Sequence, residues 1–123
     1  MKYRHISVKI YDWDVYFFDL GKIFKNDPIL KKLSKLIGKK NLRSVESISY
    51  SELKNGGDHF FHHNRKTSVV IVYKTSSKKQ KISIVLHELQ HSVDRICENT
   101  RVNDIEARAY LMGYIGSKIL SKL

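Results

Sequence analysis

Three stretches that pattern differently predict an α+β fold. Residues 3–11 alternate polar and apolar, with Ile6, Val8 and Ile10 on one side, the signature of a half-buried strand. Residues 67–73 hold the β-branched run Val69-Val70-Ile71-Val72, which predicts the most buried strand. The stretch 83–98, together with Ile82, instead places Val85, Leu86, Leu89, Val93 and Ile96 at helical spacing, so a helix with one buried stripe is expected there.

The remaining elements follow in order. Residues 15–20 are a dense aromatic and aliphatic run, predicting a second strand joined to the first through Asp12-Trp13-Asp14. Asp27-Pro28 opens a helix, Asp as cap and Pro in its first turn, with Ile29, Leu30, Leu33, Leu36 and Ile37 as the apolar face and Gly38 near its end. Residues 42–53, with Val45, Ile48 and Tyr50, read as extended, and Asn55-Gly56-Gly57 as the turn that returns this segment as a hairpin. Thr75, Ser76 and Ser77 form a polar loop before the helix at 83–98. Asn103 or Asp104 caps a last helix to about Leu120 that buries Ile105, Met112, Ile115 and Ile119. The sheet is expected to be twisted and mostly antiparallel, packed on the 83–98 helix and an antiparallel C-terminal helix.

A length of 123 residues suits one domain, 1–123, with one core. With 41% hydrophobic residues, 6 Gly and 1 Pro the composition is globular, not disordered. No segment is apolar enough to span a bilayer, and with alternating polar and apolar residues after Met1-Lys2-Tyr3-Arg4-His5 no secretory signal is visible. The lone Cys97 has no intramolecular disulfide partner, so a cytoplasmic setting is expected. The net charge of +11 favours acidic partners. Its lysines are spread over the chain, with a cluster at Lys31, Lys32, Lys35, Lys39, Lys40 and Arg43, so a solvated basic surface is favoured over a nucleic-acid track.

The chemistry is concentrated in His87-Glu88-Leu89-Gln90-His91. Two histidines four apart on a helix stand one turn above each other, so both imidazoles reach one ion, and the glutamate between them supplies a base. His87, His91, Asp94 and Glu98 share a stripe beside the buried one, with Glu88 flanking it. Zn2+ is the expected cofactor. A catalytic zinc site wants three protein ligands, and the last helix carries the stripe Glu106, Tyr110, Gly113 and Ser117. A short connection makes that helix antiparallel, with Ala109, Gly113 and Gly116 small enough for close approach, so Glu106 is the candidate third ligand. Straight helices turning near Arg101 would put Glu106 nearer the level of Ile96 than of His91, which keeps Asp94, Glu98 and Asp104 as rivals. Asp58-His59-Phe60-Phe61-His62-His63 places three histidines within five residues. Extended neighbours face opposite ways and fit a joint site poorly, so this segment is expected to be a strand or turn face near the cleft.

The run His87 to Asp94 followed by Glu106-Ala107-Arg108-Ala109-Tyr110 resembles the gluzincin branch of the zincin metallopeptidases, and in particular small zincin-like domains of bacteriophages and mobile elements. The resemblance covers about the last third of the chain. It implies zinc on His87, His91 and Glu106, Glu88 as general base and Tyr110 as an oxyanion donor. No acidic residue follows Glu106 one turn later, which passes the task of orienting a histidine to Asp94. The implied activity is hydrolysis of a peptide or amide bond in a protein or peptide substrate. Two other functions fit the same residues: a zincin scaffold that acts by binding a host or phage protein, and a basic nucleic-acid-associated protein with structural zinc.

Overall fold

The computed structural model describes residues 3–102 and 104–123. The chain runs β1 (Tyr3–Val8), a 3₁₀ turn at Lys9–Tyr11, β2 (Trp13–Asp19), α1 (Ile29–Ser49), β3 (Gly57–His62), β4 (Thr67–Val72), α2 (Lys78–Thr100) and α3 (Ile105–Leu120). The four strands form one mixed sheet in the order β1-β2-β4-β3. β1–β2 and β3–β4 are antiparallel and β2–β4 is parallel, because β3 starts at the end of the sheet where β2 finishes and runs back before the hairpin into β4.

Alternation along the strands divides the core in two. Ile6, Val8, Val15, Phe17, Val70 and Val72 pack with Val85, Leu89, Val93 and Ile96 of α2 and Leu111, Ile115 and Ile119 of α3. Phe18, Leu20, Val69, Ile71 and Tyr73 point to the other face, against Leu33, Ile37 and Val45 of α1. The sheet is therefore a middle layer, which is why β2 and β4 are apolar on both faces. Trp13, on the α2 side, is buried and donates its indole N–H to Ser68 Oγ at 3.1 Å.

Several expectations are corrected. The first strand stops at Val8 and Ile10 is 74% exposed, because the chain turns through Lys9–Tyr11 and Asp12 takes a left-handed conformation (φ 52°). Residues 42–53 are not extended. Gly38 (φ 83°, ψ 162°) kinks α1, which resumes and runs to Ser49. The spacing of Leu42, Val45 and Ile48 puts all three on one helical face against the core, and this burial outweighs the strand preference of Val and Ile. With no strand before it, the Asn55-Gly56-Gly57 turn links α1 to β3, and the hairpin is β3–β4. Asp27 caps α1 through its carboxylate, which accepts the Ile29 N–H at 3.1 Å. α2 starts at Lys78, five residues before the expected 83, because Ser77 accepts the Gln80 N–H at 3.1 Å; such a cap contributes about 1 kcal/mol. Asp104 caps α3 by accepting the Glu106 N–H at 2.9 Å, while Asn103 lies outside the described residues. Leu86 and Ile105, expected in the core, are exposed. Cys97 is buried with a free thiol. No helix among the described residues is long and apolar enough to cross a membrane.

Candidate metal centre

α2 lies across β3 and β4, and its contact with β3 is matched residue for residue. The register pairs Gly57 with Val72, His59 with Val70 and Phe61 with Ser68, so these three β3 residues share the face that looks at α2. Two residues of strand advance about 6.6 Å, close to the roughly 5–6 Å between successive residues on one helix face. Gly57 accordingly meets Ile84 and Glu88. His59 stacks on His91 with ring centroids 5.9 Å apart. Phe61 lies under the Arg95 guanidinium at 4.5 Å, and His63 Nδ1 is 3.4 Å from Asn99 Nδ2.

Gly57 makes the approach at Glu88. A Cβ there would lie 2.6 Å from Ile84 Cγ2, 2.9 Å from Glu88 Cγ and 3.0 Å from the Ile71 carbonyl oxygen. Gly57→Ala must therefore push α2 off β3, and it is expected to lower stability by about 1–3 kcal/mol. A urea titration with unchanged midpoint would contradict this packing.

Ligand-type atoms of His87, Glu88 and His91 lie within 4.8 Å of one another. The two imidazoles meet edge to face, centroids 5.0 Å apart, and His87 Nε2 is 3.9 Å from Glu88 Oε1. His87 is open to solvent, its side chain 71% exposed, whereas Glu88 is buried at 8%. Burial raises the Glu88 carboxyl above its ordinary range; His87 and His91 oppose that rise and Asp58 adds to it. Asp58 itself accepts the Tyr73 hydroxyl at 3.2 Å. The Tyr73 phenol is raised, first by burial and then by Asp58, so it stays a donor. Burial, with smaller contributions from His91 and Arg95, lowers His59 to about 4, leaving a neutral imidazole. Its Nε2 is buried with no hydrogen-bond partner among the described residues, a state that costs on the order of 1–3 kcal/mol.

The structure thus brings His87, Glu88 and His91 together, and it does not bring the α3 residues to them. Leu111, Ile115 and Ile119 fix the rotation of α3 by burying themselves. That turns Tyr110 to the β1 side, where it is 64% exposed, stacks on Tyr114 at 6.2 Å and lines a shallow hollow with Val8, Lys9 and Ile10. Glu106 is exposed in the first turn of α3 and outside the His87–Glu88–His91 group. What α3 presents to α2 is Arg108, whose guanidinium is 2.7 Å from Asp94 Oδ1, and Gly116, where an added Cβ would lie 3.6 Å from Leu89 Cδ2, an ordinary contact. A Cβ on Gly113 would meet nothing within 4 Å, so Gly113 does not serve helix approach. Asp94 also accepts from Gln90 Nε2 at 3.1 Å; its carboxylate is engaged by these partners. Glu98 pairs with Arg95 at 2.8 Å, and Asp104 is spent on its cap.

Two imidazoles with a carboxylate beside them, at this spacing, could hold a metal ion that accepts N and O donors. The exposed side chain of His87 leaves this group open to solvent. The lysine cluster lies elsewhere: Lys31, Lys32, Lys35, Lys39, Lys40 and Arg43 are exposed on α1, across the sheet from this group.

The molecule is therefore an α+β protein with a His-Glu-His group able to hold a metal ion. Set against models of known protein families, curated proteins and solved structures, the chain gives no match.

Proposed function

We propose that the protein is a zinc-dependent peptidase of zincin-like design. One observation carries the reading: Glu88 is held buried against Gly57 of β3 while His87 and His91 converge beside it. A structural metal site needs no base between its ligands, and burying a carboxylate without use is costly. Zinc, when bound, would supply a Lewis acid that lowers the pKa of a water towards neutrality. In this reading Glu88 would accept a proton from the attacking water and return it to the leaving amine, as a general base and then an acid. Its raised pKa suits both directions of transfer.

The substrate class follows from β3. It is an edge strand, paired only with β4 among the described residues, so its outer N–H and C=O groups are open to an extended peptide. Such a peptide would run along the strand that carries His59 and past the helix that carries His87 and His91. The cation surface of α1 stands apart from this edge and acts as a solvating face. A cytoplasmic setting is part of the same proposal.

Two measurements test it. Elemental analysis should find close to one zinc per chain in the wild type and little in His87→Ala. A peptide library digested by the zinc-loaded protein should yield cleavage products that disappear when zinc is stripped by a chelator and return on its addition. A zinc-loaded protein that cleaves no peptide would turn the proposal towards a metal-bearing binding scaffold.

A further inference from the structure

We infer that His59 is the third protein ligand of the metal, so that the centre is built from one strand and one helix, not from two helices. The inference rests on the metal-centre reading above but does not need turnover. Three observations carry it. His59 is on the β3 face that looks at α2, since its register partner Val70 belongs to the core beneath α2. Its ring stands 5.9 Å from that of His91, which in turn stands 5.0 Å from that of His87. Two imidazoles bound to one tetrahedral ion at the usual zinc–nitrogen distance have ring centroids about 5 Å apart. The His87–His91 pair already stands at that spacing, while His59, outside the group whose ligand atoms lie within 4.8 Å of one another, reaches it by a small swing of its ring towards His91. Finally, His59 Nε2 is buried and has no hydrogen-bond partner among the described residues, as also holds for Ser92 Oγ and Arg95 Nε, but of these atoms only the imidazole nitrogen is a metal-ligand type, and an ion would satisfy it.

The alternative source of a third ligand is α3. Its nearest charged group to the centre's helix is Arg108, paired with Asp94 at 2.7 Å, and a guanidinium repels a cation. Glu106 stands two residues before Arg108 and is exposed. With three imidazoles as ligands, Glu88 is released from the metal and free to act as a base. Three histidines and one open position is a known arrangement for catalytic zinc.

The test measures metal affinity and ligand identity, not hydrolysis. Metal-free wild type, His59→Phe and Glu106→Gln would be titrated with Zn2+ against a chromophoric chelator. Phe at 59 keeps an aromatic ring between Phe61 and His91 and removes the nitrogens. His59→Phe is expected to weaken zinc binding by more than the roughly 10–100-fold typical of a group that only orients a ligand, with Glu106→Gln at wild-type affinity. With Co2+ in place of zinc, the visible absorption bands should lose intensity in His59→Phe as water replaces an imidazole. Should His59→Phe fail to fold, the ring nitrogen shifts of 15N-histidine wild type decide, with and without zinc: a His59 nitrogen moved on metal addition supports the assignment. Unchanged affinity in His59→Phe, or an unmoved His59 resonance while His87 and His91 respond, would overturn it and leave the metal centre standing. Loss of affinity in Glu106→Gln alone would assign the position to α3. A wild type that takes up no zinc would overturn both the assignment and the centre.

Discussion

Glu88→Gln is expected to cut zinc-dependent peptide hydrolysis by about 10²–10⁴-fold, the usual contribution of a positioned general base, while zinc content stays near that of the wild type. The separation of effects follows from where Glu88 lies. His87 and His91 offer the nitrogens that would face an ion, and Glu88 lies beside them on the buried side of α2. Glutamine has nearly the same shape, so it fits the gap over Gly57 that admits Glu88 Cγ. What it lacks is an oxygen that can bind a proton. Because burial already raises the Glu88 carboxyl, the neutral amide is no harder to bury than the carboxylate, and folding should not suffer. The measurement is kcat/KM on the best cleaved library peptide, with metal content and thermal midpoint recorded on the same samples. Full activity in this variant would exclude Glu88 as base and favour a protein that works by binding.

The sequence showed the chemistry of the centre more readily than its geometry. H-E-x-x-H is local: one helix places its residues, and the apolar spacing of Val85, Leu89, Val93 and Ile96 announces that helix. The strands at 15–20 and 67–73 were equally plain, since burial on both faces makes them predominantly apolar, with Val15, Phe17, Phe18 and Leu20 in one and Val69 to Tyr73 in the other. Residues 42–53 misled because Val45 and Ile48 favour strands in isolation, while their spacing with Leu42 favours a helix once a core is there to receive it. The rotation of α3 had two readings. The stripe with Glu106 and Tyr110 and the stripe with Leu111, Ile115 and Ile119 both repeat at helical period, and burial of three large aliphatic side chains, about 1.5–3 kcal/mol each, decides in favour of the second. His59 was visible as a histidine but not as a neighbour of His91. Its side is set by register with β4, and no local pattern encodes that register. The small residue that could have pointed to it is Gly57, which reads as a turn glycine and in the structure is a place where an added Cβ would collide with Ile84 and Glu88 of α2.

Leu89→Ala is expected to lower the stability of the fold by about 2–5 kcal/mol and to leave zinc affinity in the folded fraction unchanged. Leu89 lies between Glu88 and His91 in sequence but on the opposite side of the helix in function. Its side chain is fully buried in the cluster shared with Val70, Val93 and Ile115, and it fills the space over Gly116 that lets α3 come close. Removing three carbons opens a cavity between two helices and a sheet, which can relax little because the β3 contact on the other side holds α2 in place. The ligand side of α2 is fixed by that β3 contact, through Gly57, His59 and Phe61. Packing of the core and of the centre should therefore respond to separate substitutions. Urea unfolding of metal-free Leu89→Ala gives the first quantity, and zinc titration under native conditions gives the second. His91→Ala should give the reverse pattern: zinc affinity lost, and metal-free stability close to the wild type because no core contact is removed. Zinc affinity that falls in step with stability in Leu89→Ala would show that α3 packing and the centre form one cooperative unit. The β3 seam would then not be what holds His91 in place.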